Sequence, residues 1–184
     1  MDINSFVNIT SRAWSIPILA HFHQGVPGRQ ATLLTATGAG RTAFAQSMKH
    51  LIEIGLAERN PGHGHPLRPE FRLTKTGKIA AKMAWGIYQS TEARDHDIIR
   101  KSWTLPILST LQKPSYFSDI KRNLHAVTDR ALAQSLRGLE EREWIKRDVS
   151  PIARPPRPLY CAINEGAMIS KITSGEVFGG TELH

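Results

Sequence analysis

The sequence predicts a mainly α-helical fold with small β-hairpins, an α+β class, built from two tandem copies of one module. Segments with the 3.6-residue apolar period of amphipathic helices precede pairs of short strand-like segments joined by proline-rich loops. This pattern occurs twice along the 184 residues. Hydrophobic residues make up 40% of the chain, which is enough for a core and argues against wholesale disorder.

The clearest element is an amphipathic helix predicted within residues 128–144. Thr128 is its predicted N-cap, because a threonine hydroxyl can accept a hydrogen bond from a free first-turn N–H. Leu132, Leu136 and Leu139 recur at i, i+4 and i+7, so they form the face that packs onto a core. Long polar side chains repeat this spacing on another face, as suits contacts with phosphates and base edges in a major groove. They are Arg130, Gln134 and Arg137.

The same helix occurs a second time, and the repetition favours a binding surface over an ordinary solvated helix. Phe44–Arg59 aligns without gaps with Leu132–Arg147 at an offset of 88 residues. Upstream, Ser11–Phe22 aligns with Arg100–Leu111 at an offset of 89. The chain is therefore predicted to be a tandem repeat of a module of about 80 residues. In the earlier copy the predicted buried positions are Phe44, Met48 and Leu51, and the predicted exposed positions are Thr42, Gln46 and Lys49.

A helix, a turn and a second helix are predicted in each copy, followed by a hairpin. The preceding helices are Gln30–Thr37 and Tyr116–Leu124. A hairpin that follows a helix-turn-helix is a wing, so each copy is predicted to be a winged helix-turn-helix. The predicted wing strands are Leu56–Arg59, Glu70–Leu73, Ile145–Val149 and Leu159–Ile163.

The loops at the tips of these wings carry cations. A guanidinium there could reach a backbone phosphate or a minor groove, although solvated loop charges are the alternative reading. Prolines stiffen both loops, which lowers the ordering cost of any contact they make. The candidate arginines are Arg68, Arg154 and Arg157, and His63 and His65 lie in the first of the two loops.

The remaining segments set the predicted domain boundaries. Met1–Thr10 is an amphipathic lead that forms an arm or a packing helix, and Arg12–Phe22 is a helix with Pro17 within its first turn or at a bend. Thr76–Arg100 is predicted to be one long connecting helix. The predicted divisions are residues 1–87 for the first winged-helix domain, 88–99 for the connecting helix or linker, 100–173 for the second winged-helix domain and 174–184 for a flexible tail.

The charge of the chain points to an acidic partner. The formal net charge is +8, and the pI is near 10.0. Residues 1–89 hold 10 Lys and Arg against 4 Asp and Glu, a net charge of +6, whereas residues 90–184 hold 14 against 12, a net charge of +2. The first copy should therefore have the more positive field.

Other functional classes are disfavoured by what the sequence contains. The single cysteine, Cys161, cannot form an intrachain disulfide, and its apolar strand-like context predicts a buried thiol. No apolar run approaches the roughly 18 residues of a membrane span, and no signal-peptide pattern begins the chain, so a cytoplasmic protein is expected. The pair His21 and His23 lacks further ligands at metal-site spacing, so neither a metal nor a cofactor is predicted. No catalytic residues and no enzyme activity are predicted.

Double-stranded DNA is the predicted partner, with each repeated helix entering a major groove. Because the exposed faces of the two helices differ in sequence, the operator is expected to be asymmetric. The predicted DNA-binding residues are Arg41, Thr42, Gln46, Lys49, Arg68, Thr128, Arg130, Gln134, Arg137, Arg154 and Arg157.

An ordered set of residues in each copy resembles the HxlR-like winged-helix regulators, relatives of the MarR type. In the later copy the set is Trp103, Ile107-Leu108, Phe117, Arg130, Leu136, Leu139-Glu140, Arg147, Pro155-Pro156, Tyr160 and Gly166. In the earlier copy it is Trp14, Ile18-Leu19, Leu51, Gly55-Leu56, Arg59, Pro66, Phe71, Leu73-Thr74 and Gly77. The resemblance implies two winged helix-turn-helix domains and a DNA-binding regulator of bacterial type.

The chain departs from the pattern of this family in three ways. Family members usually carry one module and pair as homodimers, so the fused copies imply an intrachain pseudo-dimer and a monomer rather than a homodimer. No cysteine stands near the start of the chain, which disfavours thiol-based sensing. The glycine-rich entry Thr37–Gly40 weakens helix nucleation, so we expect the recognition helix of the earlier copy to be shorter or displaced.

Two alternatives stay open from the sequence. The doubled fold could be a protein-binding or ligand-binding module without DNA affinity, since a fold does not fix a function. Glu140, Glu141 and Glu143 at the end of the later helix fit that alternative. A small-molecule effector is also open, because Trp85 and Tyr88 could line a pocket, although such aromatic residues are more often part of a core.

Overall fold

The computed structural model describes residues 1–60, 69–149 and 156–177. This part of the chain is mostly helical, with two small antiparallel sheets. It divides into two compact units: the first unit is Arg12–Gln89, and the second unit is Met1–Ser11 together with the chain from Ser90 onward. The chain begins with α1 (Ile3–Thr10). Within the described ranges, none of the helices has the length and apolar character needed to cross a bilayer.

The first unit contains three helices, an antiparallel hairpin and a fourth helix. Its elements are α2 (Ser15–His23), α3 (Gln30–Thr37), α4 (Arg41–Glu53), β1 (Ala57–Arg59), β2 (Phe71–Leu73) and α5 (Lys75–Gln89). Pro17 lies in the first turn of α2, as predicted, where its missing N–H removes no helical hydrogen bond. In the hairpin, Ala57 pairs with Leu73 and Arg59 with Phe71.

The last helix of the first unit closes over the hairpin. α5 packs along α2, and its Ala81, Ala84 and Ile87 are fully buried. Gly77 in its first turn lies so close to Leu56 that an added Cβ would be 1.8 Å from the Leu56 carbonyl oxygen. Only glycine allows the helix to approach this backbone, so Gly77 fixes where α5 docks.

The second unit has the same order of elements, with additions. Its elements after α1 are a 3₁₀ turn (Ala93–Asp95), α6 (His96–Ile99), α7 (Thr104–Thr110), β3 (Ser115–Tyr116), α8 (Phe117–Leu124), α9 (Asp129–Glu141), β4 (Ile145–Val149), β5 (Pro158–Ala162) and α10 (Asn164–Val177). The sheet has the order β3-β5-β4 and is antiparallel throughout. α10 packs on α7, and Gly166 in its first turn would place a Cβ 2.1 Å from the carbonyl oxygen of Trp144.

The N-terminal helix α1 packs within the second unit. Phe6 and Ile9 are buried, and α1 contacts α7 and α8. The hydroxyl of Thr10 donates a hydrogen bond of 2.9 Å to the carbonyl oxygen of Ser102. The sequence placed this segment in a first domain of residues 1–87, whereas its buried face is used by the second unit because the apolar partners of Phe6 and Ile9 lie there.

One prediction about the helices is wrong, and another is wrong about helix length. The predicted connecting helix Thr76–Arg100 is interrupted, because α5 ends at Gln89 and Glu92 takes an extended conformation before the 3₁₀ turn. The recognition helix of the first unit is not shortened either, since α4 and α9 have 13 residues each. Gly38 ends α3 with a φ of 68° and Gly40 is the N-cap of α4, so both glycines serve the turn and lie outside the helix.

Cys161 lies on β5 and is half-buried, whereas the sequence predicted a buried thiol. Burial raises the pKa of the thiol, and the negative charge of Asp148 adds to this increase. The thiol is therefore neutral at neutral pH and a poor nucleophile, which agrees with the expectation of an unreactive cysteine.

Candidate nucleic-acid interface

α9 presents two distinct faces in the second unit. Leu132, Leu136 and Leu139 are buried, with at most 2% of each residue exposed, as their spacing predicted. The opposite face is exposed and polar, and it carries no carboxylate between its first and last turns. The predicted contact residues on it are Arg130, Gln134 and Arg137, and all three are exposed.

The start of α9 is fixed by capping. The hydroxyl of Thr128 accepts a hydrogen bond of 3.2 Å from the N–H of Ala131, which confirms the predicted N-cap. Lys121 of α8 forms an ion pair with Asp129 at the first position of α9. The two helices of the helix-turn-helix are thus held at the turn, and the Thr128 hydroxyl proton is still available to a phosphate oxygen.

α4 presents the matching faces in the first unit. Phe44, Met48 and Leu51 are buried as predicted. No side chain caps α4, because glycine occupies its N-cap position, so no capping side chain satisfies the N–H groups of its first turn. The predicted contact residues Arg41, Thr42, Gln46 and Lys49 are all exposed.

One of these contact residues has a competing partner. Lys49 lies 3.6 Å from the carboxylate of Glu53 one turn later, and both side chains are largely exposed. An exposed i,i+4 ion pair is worth only about 0.3–0.5 kcal/mol, so a phosphate could displace Glu53 at little cost.

The wing residues are only partly described. Arg157 is exposed immediately before β5, where the hairpin begins its return. Arg68 and Arg154 lie outside the described residues, as do His63 and His65. In the described part of the second wing, five residue pairs from Ile145 with Ala162 to Val149 with Pro158 hold the hairpin in register.

A partly buried ion-pair cluster at the end of α9 was not expected from the sequence. Arg142, the C-cap residue, donates to the carboxylates of Asp95 and Asp97 and to the carbonyl oxygen of Arg94. Asp95 is buried, with 8% exposed. The cluster holds the 3₁₀ turn and α6 against the end of the recognition helix. Only the run of alternating charges from Glu92 to Asp97 could have indicated it, and such runs are usually solvated.

No group of three or more metal-ligating side chains is found in the described ranges. His21 of the first histidine pair lies beside the ring of Tyr88, with a centroid distance of 5.6 Å, and its Nδ1 is 3.3 Å from the Gln24 amide oxygen. These contacts place His21 and Tyr88 in the packing between α2 and α5.

The fold and the exposed face of α9 agree with the comparison to protein families. Residues 98–175 match the HxlR-like helix-turn-helix family. The HxlR-like match begins in α6 and ends in α10, so it spans the helix-turn-helix and the second wing. The first unit lies outside the matched residues.

This chain is also similar to curated proteins that are named HTH-type transcriptional regulators. An uncharacterized HTH-type transcriptional regulator of Mycobacterium tuberculosis is 29% identical over 90 residues, which cover 46% of this chain and 56% of the relative. Another from Methanothermobacter thermautotrophicus is 37% identical over 71 residues, which cover 38% of this chain and 53% of the relative. The chain thus spans about half the length of the curated relatives it matches. No solved structure matches the chain.

Proposed function

We propose that this protein is a transcriptional regulator that binds double-stranded DNA in a sequence-specific manner, with α9 and α4 as recognition helices. The observation that carries the proposal is the exposed face of α9, where Arg130, Gln134 and Arg137 stand opposite a fully buried leucine face. The HxlR-like match over the same helix and the names of the relatives support it.

The side chains on these faces suit base readout. An arginine can donate two hydrogen bonds to O6 and N7 of guanine, and a glutamine can pair with N6 and N7 of adenine. Gln134 of α9 and Gln46 of α4 occupy matched positions in the two helices. Thr42 and Lys49 of α4 are proposed to face the groove as well, with Arg41 close by. The other proposed contacts are Thr128 at the start of α9 and the wing arginines Arg68, Arg154 and Arg157.

We further infer that the two units arose by duplication of one module. Both contain three helices, a hairpin and a closing helix, and both recognition helices have 13 residues. The closing helices dock through matched glycines, Gly77 on the carbonyl of Leu56 and Gly166 on that of Trp144. A fused pair of this kind would act as an intrachain pseudo-dimer, so a monomer is the proposed state.

The operator of such a pseudo-dimer would be asymmetric. At positions matched by the offset of 88, Thr42 stands where α9 has Arg130, and Lys49 stands where it has Arg137. A threonine and a lysine read bases differently from two arginines, so the two half-sites would differ in sequence. Two recognition helices are expected to engage half-sites about 34–36 Å apart.

A second candidate is a ligand-binding or protein-binding module without DNA affinity, or a regulator with an effector site. A cavity of about 740 Å³ lies at the end of α9 and favours this candidate. Glu141, Glu143 and Glu165 line it together with Trp144 and Arg142. Its acidic lining suits a cationic ligand and repels DNA.

The test is fluorescence anisotropy with the duplex from upstream of the protein's own gene and a scrambled duplex of equal length, between about 50 and 200 mM salt. Tighter binding to the upstream duplex that persists at the higher salt supports a sequence-reading regulator. Equal, salt-sensitive binding to both supports electrostatic binding alone. No binding to either at low salt rejects the DNA proposal and leaves the second candidate.

A further inference from the structure

A cavity of about 270 Å³ lies beside the recognition helix of the second unit. One wall is the segment that leads into α7, and the other is the side of α9 next to its exposed face. We call it the donor notch and define it by its polar side chains. They are Lys101, Ser102, Trp103, Thr104, Gln134 and Ser135.

The one charge among the described residues that line the donor notch is positive. Each of its six polar side chains carries at least one N–H or O–H donor, and Lys101 adds a positive charge. No aspartate or glutamate is among the described residues that line it. The cavity at the end of α9, in contrast, is lined by four carboxylates, and its two arginines, Arg94 and Arg142, are already paired with carboxylates. The donor notch therefore suits an anion, whereas the other cavity does not.

The donors of the notch are not used inside the protein. None of its six polar side chains has a hydrogen bond or an ion pair with another residue of the described ranges. Lys101, Ser102 and Gln134 are also exposed. Converging donors without internal partners are what a ligand with several acceptor oxygens requires.

Gly138 keeps the notch open. It lies inside α9, where glycine is the least favourable residue after proline, and it lines the cavity. A Cβ added there would meet no atom within 4 Å, so neither packing nor a close backbone contact calls for glycine. At the matched position of the first unit stands His50. A glycine at position 138 is therefore explained if a ligand occupies the space that a side chain would fill.

We propose that the donor notch binds a phosphate of the DNA backbone beside the major groove that α9 reads. The proposal rests on the function proposed above and adds a phosphate contact to it. Gln134 connects the two, because it lies on the exposed face of α9 and also lines the notch. A phosphodiester supplies the acceptor oxygens and the negative charge that the notch lacks, and a backbone contact fixes the register of the helix in the groove.

The test uses the full-length protein and two variants. Lys101→Ala removes the charge, and Gly138→Leu places an apolar side chain in the notch, with a Cβ that meets no atom within 4 Å and a residue that favours the helix. Both should weaken binding about tenfold, to the upstream and the scrambled duplex alike. Lys101→Ala should also reduce the slope of log K against log salt by about 0.9. Lys171→Ala, which removes an exposed lysine on α10, is the control and should leave affinity unchanged.

The outcomes separate this proposal from the one on which it rests. If the wild-type protein binds the upstream duplex and both variants bind it equally well, the notch assignment is wrong and the proposed function stands. If the wild-type protein binds no DNA, both the notch assignment and the proposed function are rejected. Thermal unfolding of Gly138→Leu, expected at or above the wild-type temperature, excludes misfolding as the cause of weak binding.

Free phosphate could use the same chemistry. A titration with inorganic phosphate measures the binding of free phosphate directly. The indole N–H signal of Trp103 in an NMR spectrum reports this binding. A shift in the wild type that Gly138→Leu abolishes, together with unchanged DNA affinity in both variants, would assign the notch to a free anion and overturn the DNA assignment.

Discussion

The guanidinium of Arg142 donates to the carboxylate of Asp97 at 2.8 Å, across 45 residues of sequence. Its other terminal nitrogen donates to Asp95, whose side chain is only 11% exposed. The segment between α5 and α7 is therefore anchored to the end of the recognition helix. This single arginine satisfies two carboxylates, one of them nearly buried, and so it should matter to stability.

Replacing Arg142 with alanine should lower the free energy of unfolding by about 1–3 kcal/mol, because Asp95 would keep its burial and lose its hydrogen-bonded cation, with only the more distant, exposed Arg94 left at 3.6 Å. Urea unfolding followed by circular dichroism measures the change. Arg122→Ala, which breaks the exposed pair with Asp119, is the matched control and should cost no more than about 0.5 kcal/mol. Equal losses for the two variants would contradict a special role for Arg142.

Replacing Arg137 with alanine should weaken operator binding by about 1–3 kcal/mol, with loss of preference at one base pair, if the guanidinium reads a guanine. Anisotropy titrations with single-base variants of the upstream duplex give both quantities. Weakening that is equal on every duplex would instead assign Arg137 to a phosphate. Unchanged affinity on all of them would remove it from the interface.

Replacing Gly166 with alanine should destabilise the second unit by about 1–3 kcal/mol, because the new Cβ would lie 2.1 Å from the carbonyl oxygen of Trp144 and force α10 away. Gly138→Ala is the control, since its Cβ meets open space and alanine favours a helix by about 0.5–1 kcal/mol. Chemical denaturation should move in opposite directions for the two variants. A stabilised Gly166→Ala protein would show that the close approach is not required.

Cys161 should react slowly with iodoacetamide in the native protein and faster after unfolding in urea, because burial and Asp148 raise the pKa of its thiol. The same raised pKa makes the stability of the protein depend on pH. The pKa of Cys161 is higher in the native protein than in the unfolded chain. Its contribution to the free energy of unfolding is therefore complete below the unfolded pKa, near 8.5, and declines as the pH rises through the native pKa. Cys161→Ala should remove this alkaline decline, as measured by unfolding at several pH values. A native thiol as reactive as the unfolded one would contradict the shift.

The apolar and polar faces of α4 and α9 could be predicted because they depend only on the spacing of residues within each helix. A 3.6-residue period brings Leu132, Leu136 and Leu139 to one side whatever surrounds the helix, and all three are buried. The cap at Thr128 also depends on neighbours three residues away. The glycines before α4 were misread, because a sequence does not tell whether a glycine lies in a helix or ends the one before it.

The spacing of residues along the chain predicts the helices of the helix-turn-helix segments, the strands of the hairpins and the polar faces that suit DNA, and it predicts a repeat at an offset of 88 to 89 residues. Long-range packing fixes that α1 lies in the second unit, that the segment after α5 is interrupted and held by Arg142, and that a cavity of about 270 Å³ opens beside Gly138. Periodicity and capping act over a few residues, whereas these features depend on contacts such as Thr10 with Ser102, which are 92 residues apart. Such contacts form only where the whole chain buries its apolar surface.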